Sequence, residues 1–169
     1  MDGHLIDQFV DTWGRMGPLW GVSASVARVH GLLMASERPY CLDEISRKLS
    51  ISKGNVSMSL KELRAWGVIR QVVQRGDRRE FYTCEPDVWK MLFSIMRERK
   101  KREFDSVVSG VREVVAEAER FPDGVAVERM RQLERMLGTF DHLADKLLGG
   151  ESQARALISF LTGSGKAGK

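Results

Sequence analysis

The sequence has only two cysteines, Cys41 and Cys84. They stand far apart, in no spacing that a disulfide framework or a metal-ligand cluster uses. They read as two small, partly buried thiols, Cys41 just before a helix and Cys84 at the end of a strand. No run of about 18 apolar residues occurs, which excludes a membrane-spanning helix. The start, Met-Asp-Gly-His, lacks the basic and apolar regions of a secretory leader, so a cytoplasmic location is expected. No paired-carboxylate motif, phosphate-binding loop or dinucleotide fingerprint is present. The expectation is a protein that is not an enzyme and needs no cofactor and no metal.

The 169 residues are 43% apolar and 30% charged, the composition of a globular chain somewhat rich in charge. The net charge is +4, but it is unevenly placed. Residues 1–40 carry three Lys/Arg against four Asp/Glu, whereas residues 41–85 carry nine against six. Residues 97–103 carry five against two. A localised basic surface fits contact with a phosphate backbone better than the modest total suggests.

The basic middle of the chain has a recognisable order. Leu42, Ile45 and Leu49 fall at helical spacing, so residues 42–49 form a short amphipathic helix. Only Ser50 and Ile51 then precede Ser52, a good N-cap for a second helix that Gly67 ends. Val56, Leu60 and Leu63 share the packing face of that helix. At about 100° per residue the opposite face carries Gly54, Ser57, Met58 and Lys61, with Asn55 at its edge. This is the surface a helix presents to a major groove: Asn can pair an adenine edge, Ser suits either base, and Lys reaches guanine or phosphate. Gly54 lets the backbone approach a phosphate closely. Next, Val68–Val73 and Glu80–Cys84 suit two strands around a Gly76-Asp77 hairpin turn. Arg75, Arg78 and Arg79 crowd its tip, and a narrow minor groove attracts inserted arginine. Asp77 is placed to brace one of them. Helix, turn, helix and two-stranded wing predict a winged helix-turn-helix.

The flanks read as helical. Residues 4–16 form one helix, broken by Gly17-Pro18, and residues 19–36 a second, with Ala24, Ala27 and Gly31 small enough for close packing. Residues 37–40 are a loop. Pro86 suits the first turn of a long helix. Its apolar stripe runs from Val88 to Met96, is interrupted by the charged residues 97–103, and resumes at Phe104. The second stripe is rotated by roughly 130° from the first, and the charged middle reads as a solvated crossing. Residues 121–124 break the chain. Ala126, Met130, Leu133, Leu137, Phe140, Ala144 and Leu147 then form a heptad seam of about three heptads, packing within the chain or across a two-fold axis. A short helix over 152–161 and a flexible tail over 163–169 close the sequence. Phe9, Trp13, Trp20, Trp89 and Phe93 supply the rings that an aromatic cage for a quaternary ammonium effector would need; packed core is the competing reading.

These residues carry a family resemblance. Val22-Ser-Ala-Ser-Val-Ala-Arg-Val-His-Gly-Leu-Leu-Met, Ser52-Lys-Gly-Asn-Val-Ser-Met-Ser-Leu-Lys-Glu-Leu, Trp66-Gly-Val-Ile-Arg and Gly76-Asp-Arg-Arg-Glu-Phe-Tyr resemble the GbsR-like branch of the MarR-type winged-helix regulators, over roughly residues 13–104. The resemblance implies a homodimer that binds a pseudo-palindromic double-stranded DNA operator, commonly as a repressor, with DNA contacts at Ser52, Lys53, Asn55, Ser57 and Arg79. Some members of that branch control the uptake or synthesis of osmoprotectants such as choline and glycine betaine, and others have no assigned effector, so a small-molecule effector is open. The expected fold is mainly α with a small β wing. It has N-terminal helices over 1–40, the DNA-binding unit over 41–85, and long helical dimerisation segments over 86–162. The competing functional readings are an architectural, non-specific DNA binder and a winged-helix protein–protein module.

Overall fold

The computed structural model describes residues 3–118, 120–121 and 124–162; the tail expected over 163–169, and part of the break at 121–124, lie outside them. The chain divides into two compact units, Met1–Met91 and Leu92–Lys169.

In the first unit, α1 (Gly3–Leu19) packs on α2 (Ala24–Met34). Small residues make the approach close. A Cβ on Gly14 would lie 2.5 Å from Arg28 Cγ, and one on Gly17 2.7 Å from Ala27 Cβ. The expected break at Gly17-Pro18 is displaced: α1 runs through Pro18 and ends at Leu19. Pro18 sits in the last turn, where its missing N–H removes only one helical bond. The reversal is made instead by Gly21, whose φ of +68° a side chain would resist. Ser23 then caps α2, its hydroxyl accepting the Val26 N–H at 3.2 Å. The second helix is accordingly shorter at both ends than the periodicity of residues 19–36 suggests.

Residues 37–40, expected as a loop, end in a two-residue strand, β1 (Tyr40–Cys41). It is followed by α3 (Leu42–Leu49), α4 (Lys53–Ala65), β2 (Ile69–Val72) and β3 (Phe81–Cys84). The antiparallel sheet has the order β1-β3-β2, with Cys41 opposite Phe81 and Ile69 opposite Cys84. Val29, Leu33, Ile45, Val56, Leu60, Leu63, Val68 and Phe81 form the core beneath it. Each fully buried aliphatic side chain here contributes about 1.5–3 kcal/mol relative to exposure.

The helix after the wing, α5 (Val88–Arg99), starts later than expected. Asp87 caps it, its Oδ1 accepting the N–H groups of Trp89 and Lys90 at 2.9 and 3.1 Å, so Pro86 lies ahead of the cap rather than inside the first turn. In the second unit the chain passes through a π-helical turn, Lys100–Phe104, into α6 (Asp105–Ala118). That turn falls within the charged run. A π turn inserts an extra residue into the helical repeat, and it sits where the apolar stripe changes direction. The run is not simply solvated. Lys100 Nζ lies 2.7–2.8 Å from Asp105, Asp141 and Asp145, and Arg97 donates to the Leu148 carbonyl at 3.0 Å. These bonds tie the π turn to α7 (Val125–Gly149), on which α6 also packs through the buried Val108 and Val115. The last helix, α8 (Glu151–Leu161), completes the unit. Among the described residues no helix is long and apolar enough to cross a membrane.

Candidate nucleic-acid interface

Two short helices and the sheet present one polar surface. The turn between α3 and α4 is tight because Ser50 takes a left-handed conformation (φ +53°, ψ +41°) and Ser46 Oγ donates to the Ile51 carbonyl at 2.7 Å. Ser52 is extended and caps α4, its Oγ accepting the Asn55 N–H at 3.2 Å. Val56, Ser59, Leu60 and Leu63 are buried beneath α4. The helix is therefore rotationally fixed, and it leaves Lys53, Gly54, Asn55, Ser57, Met58 and Lys61 exposed together with Ser52. Met58 is 73% exposed, an apolar side chain offered to solvent on an otherwise polar face. The orphan N–H groups and positive end of the helix dipole face the same way as these residues, which favours an anion there.

Lys53 is held by Asp43, from the helix before, at 2.7 Å. The hydrogen bond and charge of Lys53 in turn keep the Asp43 carboxyl below its ordinary range. The pair fixes where the ammonium points, and Asp43 offsets part of its charge.

The wing is ordered at its tip. Gly76 takes φ +86°, and Asp77 accepts from both the backbone N–H of Arg79 (2.9 Å) and its guanidinium (3.0 Å). The Arg79 hydrogen bonds draw the Asp77 carboxyl down to about 2. Arg79 also donates to Cys41 Sγ at 3.4 Å and lies 5.3 Å from the Phe81 ring centre. Arg79 is thus an arginine braced beside the turn, and Arg75 and Arg78 are exposed as well.

Between α4 and β3 lies a cleft of about 570 Å³ lined by Leu42, Ser57, Leu60, Lys61, Arg64 and Tyr82 among others. Arg64 was not among the residues singled out from sequence. It lies one turn beyond Lys61 and two beyond Ser57, so carrying the helical face past Lys61 finds it. The contact of Cys41 with Arg79 was equally hidden, since neither cysteine has a basic neighbour in sequence.

The aromatic residues are more dispersed in role. Phe9 stacks on Trp13 with ring centres 5.9 Å apart, and Trp13 tilts against His30 and donates to its Nδ1 at 3.3 Å. Trp20 and Trp89 are each more than two-fifths exposed, and Phe93 is buried within the other unit's stretch of α5.

This architecture defines a winged helix-turn-helix. Residues 42–80 match the family described as MarR family. The chain is 25% identical over 114 residues to the HTH-type transcriptional repressor GbsR of Bacillus subtilis (strain 168), covering 68% of this chain and 63% of that protein. It is also 25% identical to the HTH-type transcriptional repressor OpcR of the same organism, over 54% of this chain and 48% of the relative. The chain therefore spans less than two thirds of the length of these relatives. A crystal structure of a transcriptional regulator shares the fold, with a TM-score of 0.66 at 19% identity over 88% of this chain and 98% of that one.

Proposed function

We propose that this protein is a sequence-specific, DNA-binding transcriptional regulator that acts as a homodimer in the cytoplasm, most simply as a repressor, and not as an enzyme. The observation that carries the reading is the exposed face of α4. A core-facing stripe fixes its rotation, while small, polar and basic side chains stand at its N-terminal end beside an arginine-tipped wing. In this reading α4 enters a major groove, with Asn55 and Ser57 on base edges and Ser52, Lys53 and Lys61 nearer phosphates. Arg75 and Arg78 reach the flanking minor groove or its phosphates, and Arg79 holds the tip in shape.

The dimer is supported by apolar surface left open in the single chain. Met130, Leu133, Phe140 and Leu147 of the heptad seam on α7 are 40–56% exposed. None of the α7 side chains is buried. An uncovered seam of this kind is what a second copy would cover. A dimer would set two reading helices about one DNA turn apart on a pseudo-palindrome. An effector of the quaternary ammonium class is proposed for the exposed aromatic residues, the Phe9–Trp13 stack first.

Fluorescence anisotropy with the DNA upstream of the protein's own gene, at moderate salt and with unrelated duplex as competitor, tests the reading. A complex that survives competitor is expected, and its strength is expected to change on adding choline or glycine betaine. Binding that any duplex removes equally, with a steep salt slope, would make the protein an architectural binder instead.

A further inference from the structure

Three soft donor atoms converge under the foot of the wing, within the first unit. His30 comes from α2, Cys84 ends β3, and Met91 lies in the first turns of α5. His30 Nε2 stands 3.1 Å from Met91 Sδ and 3.6 Å from Cys84 Sγ, and the two sulfurs are 3.8 Å apart. The imidazole and Met91 are buried, and Cys84 is half-buried, which leaves one edge towards solvent. Three ligands set trigonally around a cation at N and S bond lengths stand roughly 3.5–4 Å from one another. Two edges of this triangle already have that size, and the third has to open by only about half an ångström.

We propose that His30, Cys84 and Met91 form a binding site for a soft monovalent cation of the Cu(I) class. Thiolate and thioether sulfur select such ions, whereas hard divalent cations take oxygen ligands. Among the described residues no three His, Cys, Asp or Glu side chains converge as a metal site; a thioether completes this one. The neighbouring Glu85 directs its carboxylate to Lys90 at 3.1 Å and Arg70 at 3.9 Å. Zinc would need a fourth ligand and gains little from a thioether.

The protons balance. The Trp13 indole N–H on Nδ1 keeps the imidazole proton on Nε2, facing the two sulfurs. On ligation the imidazole proton moves to Nδ1, the long indole bond opens, and the thiol proton leaves to solvent. One proton is released per cation. The bound cation would tie the end of the wing strand to α2 and α5.

The test is competition for Cu(I) between the reduced, full-length chain and a coloured Cu(I) chelator under anaerobic conditions, repeated with Ag(I). The wild type and Cys41→Ser are expected to withdraw one equivalent. Cys84→Ser and the volume-conserving Met91→Leu are expected to bind roughly tenfold more weakly or worse, with circular dichroism unchanged. The site is refuted if the wild type withdraws none, if Cys84→Ser and Met91→Leu bind as the wild type does, or if Cys41→Ser abolishes uptake.

Discussion

Ser52 is asked to do two things, and two substitutions separate them. Its Oγ accepts the Asn55 N–H at 3.2 Å, which covers one of the orphan donors at the start of α4. Ser52→Ala removes that acceptor. Ser52 is exposed, so water can reach the freed N–H, and the expected loss is about 1 kcal/mol, the middle of the range for N-caps. For a chain of this size that is a fall of about 2–4 °C in Tm. Ser52→Asp keeps a cap of equal quality and adds a favourable charge at the helix N-terminus, so its stability should equal or exceed that of the wild type. On DNA the order should invert. With α4 in the groove as proposed, a carboxylate at this position would face phosphates and should lower affinity below that of Ser52→Ala, with the magnitude of the salt slope smaller by about one. Urea unfolding at fixed protein concentration measures the first ordering, and anisotropy across a salt series measures the second. If Ser52→Asp bound DNA as tightly as the wild type, the N-terminus of α4 would not be at the phosphate backbone.

Arg75→Ala and Arg78→Ala should each weaken binding evenly across sequences and reduce the salt slope by about one, without changing which sequence is preferred. Asp77→Ala should leave thermal stability close to that of the wild type, because the pair with Arg79 is exposed. It should still weaken DNA binding by releasing the braced tip, which a denaturation curve and a binding isotherm together would show. His30 gives a pH dependence. Burial lowers its pKa to about 4, so the folded chain keeps it neutral while the unfolded chain takes up a proton below about 6.5. Stability should therefore fall as pH drops from 6.5 to 4, by about 3 kcal/mol from this group. His30→Gln should flatten that part of the curve in denaturant titrations across pH. Leu133→Glu with Phe140→Glu should convert a dimer into a monomer in sedimentation velocity while leaving helix content intact, and a dimer that persisted would remove α7 from the interface.

The winged unit was legible because its signals are local. Leu42, Ile45 and Leu49 state one face of α3, Ser52 and Gly67 mark the two ends of α4, and Gly76 marks the wing turn; the structure keeps all of them. What was missed depends on partners distant in sequence. β1 is two residues long and exists because β3 pairs with it, so Tyr40-Cys41 carries no strand signal of its own. Pro18 looks like a helix breaker, yet in a last turn it costs little, and the reversal falls to Gly21. Lys100 reads as one cation in a charged run until the fold brings Asp141 and Asp145 to it. The candidate site divides the same way. The exposed face of α4 follows from helical spacing, but the restraint of Lys53 by Asp43 and of Arg79 by Asp77 and Cys41 shows only in three dimensions. Arg79 illustrates the consequence: grouped in sequence with Arg75 and Arg78, it is the one tied back into the fold.

The central claim is that α4 reads sequence. Its most direct test is the ratio of affinities for a selected operator and a random duplex, measured at one salt concentration for the wild type and for Asn55→Ala. Asn55 is exposed at the N-terminal end of α4, and its side chain is not needed for the cap, which uses only its backbone N–H. A bidentate contact to a base is worth about 1–3 kcal/mol of discrimination. The account predicts that Asn55→Ala loses roughly tenfold or more of operator affinity while binding to random DNA stays unchanged, so the ratio collapses. A ratio that survives the substitution, with both affinities unchanged or both lowered alike, would contradict the placement of this helix in the groove.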